Sequence, residues 1–154
     1  MTSGINIRPA AADEAALLTA LALRSKAHGG YDEAFIAACR DELTLKDGEL
    51  AARRTRVAEA SGQALGFSTL EGTAPTGVLG MLFVEPDLIG QGVGGLLMRD
   101  LLARARDLGF TTLSIDADPG AEPFYLAHGA VRLGATPSGS IPGRMLPLLE
   151  LRLA

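Results

Sequence analysis

The stretch Leu82 to Leu97, LFVEPDLIGQGVGGLL, passes from an apolar run that reads as a buried strand, through a turn holding Gly90, Gly92, Gly94 and Gly95, into a leucine-rich helix. Free amide donors at a helix N-terminus, with the positive end of the helix dipole behind them, bind phosphate, and glycine leaves those amides unshielded. The plainer alternative is that Gly94 and Gly95 only let helix and strand pack closely. Two other phosphate motifs are excluded. No Lys-Ser/Thr follows the glycines as a P-loop requires, and the turn falls at mid-chain after antiparallel-type strands, where a dinucleotide-binding βαβ unit fits poorly.

Working outward, Val93, Leu97, Leu101, Ala105 and Leu108 recur at helical spacing, and Gly109 is placed to cap that helix. Val78 to Val84 predicts a continuous apolar strand. Thr55 to Glu59 and Ala64 to Leu70 flank a Ser-Gly turn and predict a hairpin. Toward the N-terminus, Ile5 to Arg8 alternates as a short strand ended by Pro9. Two amphipathic helices follow, from about Ala11 to Ser25 with Asp13 and Glu14 in the first turn, and from Tyr31 to Leu43, broken by Lys-Ala-His-Gly-Gly. Lys46 to Arg53 carries mixed signals and predicts no element. Downstream come a strand over Thr111 to Ala117, a short helix over Ala121 to His128 and a strand from Val131 to Leu133. A turn-rich loop over Gly134 to Arg144 and a last strand over Leu146 to Leu153 complete the chain.

A chain of 154 residues with 47% apolar content, no internal repeat and no linker predicts one domain over residues 1–154. The N-terminus lacks the regions of a signal peptide and no run of about 18 apolar residues occurs, so a soluble, cytoplasmic protein without a membrane partner is expected. With 14 basic against 18 acidic residues and no Trp, nucleic acid is an unsuitable partner. The single cysteine, Cys39, sits in a helical pattern and reads as a small buried side chain; no metal site is expected.

The glycine turn and its surroundings resemble the acetyl-CoA binding region of the GNAT superfamily of N-acetyltransferases, in which a strand ending Leu/Phe-Val-x-Pro precedes Arg/Gln-x-x-Gly-x-Gly/Ala. Here Leu82 to Pro86 is LFVEP and Ile89 to Gly94 is the turn, with Ile89 where the family prefers Arg or Gln. A second block, Asp116 to Ala130, is similar to the family's Asn-x-x-Ala-x-x-x-Tyr, with Asp118 in place of Asn, Ala121 and Tyr125 matching, and Ala130 in place of an aromatic after Gly129. The resemblance implies an α/β (α+β) fold, a single mixed, mostly antiparallel sheet of six to seven strands flanked by about four helices. It implies acetyl-CoA as cosubstrate, with the pyrophosphate on Gln91, Gly92, Val93, Gly94, Gly95 and Leu96, Gln91 taking over part of the work of the missing Arg/Gln. The pantetheine arm would then lie beside Phe83 and Val84, with Asp118 also in the cofactor site.

It further implies Tyr125 as the acid that protonates the departing sulfur. An unperturbed phenol near 10 facing a thiol near 8.5 makes full transfer uphill by about 2 kcal/mol, so its acidity would have to be raised, unless a strengthening hydrogen bond suffices. A Tyr that merely packs under the short helix is the alternative. A lysine-like amine is neutral about once in 2,500 molecules at pH 7, so a base or a desolvating pocket is needed. The family often places a Glu where Val78 stands, which leaves Glu85, Asp116 and His28 as weak candidates. The acceptor is expected between the Ser25 to Asp32 segment, with His28 and Tyr31, and the Pro137 to Arg144 segment, with Arg144. A small-molecule amine is the preferred acceptor. A protein or peptide N-acetyltransferase and a non-catalytic acyl-CoA-binding regulator are the alternatives, and a homodimer is open.

Overall fold

The structure, a computed structural model describing residues 4–153, runs β1 (Asn6–Pro9), α1 (Ala15–His28), α2 (Glu33–Leu43), β2 (Arg56–Ala60), β3 (Gln63–Thr73) and β4 (Thr76–Val84). It continues through α3 (Val93–Asp107), β5 (Thr112–Asp116), α4 (Glu122–Ala127), β6 (Val131–Pro137) and β7 (Met145–Arg152), with short 3₁₀ turns at Asp47–Glu49 and Pro86–Leu88. Met1 to Ser3, part of the segment read above for a leader, and Ala154 lie outside the described residues. The strands form one seven-stranded sheet, ordered β1-β2-β3-β4-β5-β7-β6, antiparallel except where β4 meets β5. With its four α-helices this is the expected fold class. Among the described residues no helix is long and apolar enough to cross a membrane.

Helices cover both sheet faces. Leu18, Leu21, Phe67 and Met81 join α1 and α2 to one face, while Leu70, Leu79, Met98 and Leu101 join α3 to the other. Residues Gly66 to Leu70 of β3 are therefore buried without alternation, as expected of a strand covered on both sides.

Two features of β4 position the site. Its register with β3 steps from Thr69–Met81 to Leu70–Leu79, leaving Gly80 as an extra, unpaired residue. That bulge lets Leu79 and Met81, two positions apart, enter opposite cores. The parallel pairing with β5 covers only Thr76–Thr112, Gly77–Leu113 and Val78–Ser114. Beyond it β5 stays with β7 as far as Asp116–Leu148, and β4 stays with β3 as far as Val84–Gly66. The two strands therefore part, and a cleft opens between Leu79–Val84 and the end of β5.

Several boundaries differ from expectation. α1 starts at Ala15 with no acid in its first turn, because the Glu14 carboxylate accepts from both Arg8 terminal nitrogens, each at 2.8 Å, and from the Ala11 amide at 2.7 Å. The helix also runs through Lys26 and His28, ending only at the Gly29-Gly30 pair, where Gly30 takes a φ of +90°. Gly134 to Pro137, expected as loop, completes β6, since pairing with β7 overrides the turn-prone composition after a bulge at Leu133.

Candidate active site

The glycine turn leaves free backbone donors at the start of α3, a narrower set than the expected Gln91 to Leu96. Gly90 and Gly92 adopt φ values of 85° and 93°, a backbone that other residues take only under strain. Gly92 caps α3, and the amides of Gly92 to Gly95 have no acceptor among the described residues. Those of Gln91 and Leu96 are already bound to the Leu88 and Gly92 carbonyls, each at 3.1 Å. The Gln91 side chain donates to the Asp87 carbonyl at 3.0 Å, so it stands away from the work assigned to it, and the Val93 side chain is buried against Ala58 and Leu97. Gly94 faces the Phe124 ring, from which an added Cβ would be 3.3 Å.

From this turn a cavity of about 840 Å³ follows the cleft between β4 and β5. Phe83 and Val84 line it, as do Ile115, Ala117 and Tyr125. Tyr125 is 6% exposed, and its hydroxyl has no hydrogen-bond partner among the described residues. Burial, and then the charge of Asp118, push that phenol well above its ordinary value. This is the reverse of the raised acidity that full proton transfer would need, so the group is a hydrogen-bond donor that stays protonated.

At its far end the cavity meets a charged cluster that closes the gap between the α1–α2 connection and the β6–β7 loop. Lys26 Nζ donates to Asp118 Oδ2 at 2.7 Å, and the Tyr31 hydroxyl donates to the same oxygen at 2.9 Å. Arg144 donates to the Tyr31 hydroxyl at 2.8 Å while its guanidinium lies 4.8 Å from the Phe35 ring, which stacks on Tyr31 at 4.0 Å. Asp118 Oδ1 takes the Gly120 amide at 2.8 Å. Burial alone would raise the Asp118 carboxyl, but the hydrogen bonds from Lys26 and Gly120, with the Lys26 charge, hold it below the usual carboxylate range. Asp118, expected on the cofactor, is thus the anion of an internal cluster. His28, Tyr31 and Arg144 all line the cavity.

The weak base candidates separate. Glu85 is occupied by two bonds from Arg24, at 3.1 and 2.6 Å, at the far end of β4. Asp116 and His28 line the cavity, while Asp32 caps α2 by accepting from the Phe35 amide at 2.8 Å. Sequence reasoning misses Lys26, which it reads as a break in the helix, and Glu71, because it ends at Leu70 a strand that runs three residues further, to Thr73. Carried on, the inward alternation Phe67, Thr69, Glu71 places a carboxylate on a face otherwise apolar there, and that is the signal which would have found it. Glu71 and its partner Arg53 line the cavity beside Gly80.

Residues 15–138 match the family model described as an acetyltransferase (GNAT) domain. Among solved structures, a GCN5-related N-acetyltransferase from Rhodopseudomonas palustris is 26% identical with a TM-score of 0.82, the match covering 99% of this chain and 98% of that one. The PaiA N-acetyltransferase from Thermoplasma acidophilum, in complex with coenzyme A, is 19% identical with a TM-score of 0.80, covering 96% and 98%. YncA, a putative acetyltransferase from Salmonella typhimurium with acetyl-CoA, is 20% identical with a TM-score of 0.72, covering 99% and 95%. No curated protein gives a significant sequence match. With the glycine turn, the parted strands and the family match in agreement, the chain belongs to the GNAT family and is an acetyl-CoA-dependent acetyltransferase.

Proposed function

We propose that this acetyltransferase moves the acetyl group of acetyl-CoA directly to the primary amine of a small molecule. The observation that carries the reading is the single cavity joining the free amides of α3 to the Lys26, Tyr31, Asp118 and Arg144 cluster. The amides of Gly92 to Gly95 suit a pyrophosphate. The edge of β4 beyond Val78 has lost its strand partner and suits an extended, amide-bearing arm, which must satisfy backbone groups there. Coenzyme A brings both groups, and its thioester supplies an activated acyl carbon. Tyr125 donates a hydrogen bond that strengthens as negative charge gathers on sulfur.

The cluster explains the preference for a small acceptor. It ties the α1–α2 connection to the β6–β7 loop, closing the wall that an extended peptide would need open. Two cations, Lys26 and Arg144, face the single carboxylate of Asp118, so an acceptor that also carries an anionic group complements the wall. His28 lines the same cavity and is assigned to the remainder of the acceptor. Coenzyme A release over a panel of small primary amines and free peptide N-termini tests the reading; turnover confined to peptides would overturn it.

Three substitutions probe the parts separately. Gly94→Val places side-chain atoms against Phe124 and in front of the free amides, and should weaken acetyl-CoA binding roughly tenfold or more by calorimetry with the fold intact. Tyr125→Phe should bind acetyl-CoA almost normally and lose about 10- to 1,000-fold in turnover. Because the phenol lies above its ordinary value, the wild-type rate should show no loss from Tyr125 ionisation below about pH 10. Asp118→Asn leaves Lys26 without its carboxylate and should destabilise the fold by about 1–3 kcal/mol at pH 7. The depressed carboxyl contributes stability above its unfolded value near 4, lost as pH falls through the folded value, so the wild-type advantage in thermal melts should vanish in acid.

A further inference from the structure

Glu71 occupies an unusual position. Its carboxylate lies across the bulge of β4, where a Cβ on Gly80 would fall 1.8 Å from Oε2 and 2.7 Å from the Thr69 hydroxyl oxygen. Only glycine at position 80 leaves room for it. All of its hydrogen bonds fall on one oxygen: Arg53 Nε donates to Oε2 at 3.2 Å, the Arg53 terminal nitrogen at 2.9 Å, and the Thr69 hydroxyl at 2.9 Å. Thr69 is in turn fixed by the Met81 amide, which donates to its oxygen at 2.9 Å. Oε1 has no partner among the described residues, and the side chain lines the cavity. A carboxylate oriented through one oxygen, with the other left free beside a cavity, is built to receive a donor.

The location identifies the donor. Pairing between β4 and β5 ends at Val78–Ser114, so Gly80 marks the narrow end of the cleft, while Val84 and the glycine turn mark the wide end. The four steps along the strand from Val84 to Gly80 span about 13 Å at the usual rise. An arm entering at the glycine turn and running down β4 thus brings its reactive end toward Glu71. We propose that Glu71 Oε1 receives the N–H of the acceptor amine and positions its nitrogen. This rests on the acetyl-transfer reading and deepens it, by assigning the amine-binding group and requiring a basic nitrogen in the acceptor. The carboxylate favours positive charge on that nitrogen, the charge it gains as the new C–N bond forms. The Arg53 and Thr69 bonds make Oε2 an anchor, so Glu71 is a positioning group and the surplus proton leaves to water.

A structural alternative, in which Glu71 only tethers Arg53, predicts loss of stability without change in amine recognition. Two arms separate the possibilities. Coenzyme A-loaded protein labelled with ¹³C at glutamate carboxyls is titrated with methylamine, the smallest probe carrying only the group in question, and with methanol. The Glu71 resonance, identified by its absence in Glu71→Gln, should shift saturably with methylamine and stay still with methanol. No shift with methylamine overturns the proposal. In steady state, with the best amine of the panel, Glu71→Gln should lower kcat/KM for the amine about 10- to 100-fold and leave the KM for acetyl-CoA within about twofold. Gly80→Ala, which displaces the carboxylate while keeping it in the chain, should do the same. Amine kinetics unchanged in both variants overturn the proposal even where the melting temperature falls. A wild type that acetylates no amine sinks the acetyl-transfer reading, and the methylamine titration then decides the role of Glu71 by itself.

Discussion

β4 and β5 share only three register pairs, and the cleft between them exists because they stop there. A sheet that loses pairing midway exposes strand edges whose N–H and C=O groups need partners. Here neither strand frays, because each is paired along its other side, β4 by β3 and β5 by β7. Apolar side chains on both faces hold the parted halves in place: Phe67 and Met81 beneath α1 and α2, Leu70 and Leu113 beneath α3. The cleft is therefore a fixed feature of the core, walled by the edges of β4 and β5 that face each other without pairing.

Glycine serves this arrangement in two distinct ways. At Gly92 the reason is backbone conformation, since the positive φ lets the turn present four consecutive free amides at the start of α3. At Gly80 the reason is space, since the missing side chain is where the Glu71 carboxylate lies. The first feeds the wide end of the cleft with positive partial charge, and the second lets a negative group stand at the narrow end. The two ends of one cavity thus carry opposite charge, as the proposed binding of a phosphate group and an amine requires.

This division also explains how far the sequence could be read. The glycine turn, the strand before it and the helix after it declare themselves through local chemistry and period, whereas Tyr125 is picked out only by the resemblance of the Asp118 to Tyr125 segment to a family motif. Glu71 gives only the weaker sign of a carboxylate on the inward alternation of its strand, because its meaning comes from a bulge on the neighbouring strand and from Arg53, eighteen positions away in the chain. Lys26 was read as a helix break, whereas only the paired glycines after it end the helix, and its partner Asp118 lies 92 positions on. The second half of β6 reads as loop by composition and is strand by pairing. Local rules recover what each segment does by itself, and the groups they miss are those made significant by a distant partner.

The cluster around Asp118 shows how a departure from a family pattern is accommodated by its surroundings. An asparagine there would bring an amide donor and no charge, whereas the aspartate must be neutralised when half-buried. This chain supplies Lys26, the Tyr31 hydroxyl and Arg144, drawn from helix, connection and loop, and each has a second tie: Tyr31 stacks on Phe35, and Arg144 rests on both rings. The charge is thereby converted into a clasp between segments that share no strand pairing. Burial raises the Tyr125 phenol, and the charge of the same carboxylate raises it further. One substituted residue thus ties three segments together at the end of the cavity, and its charge adds to the burial that already keeps the Tyr125 phenol protonated.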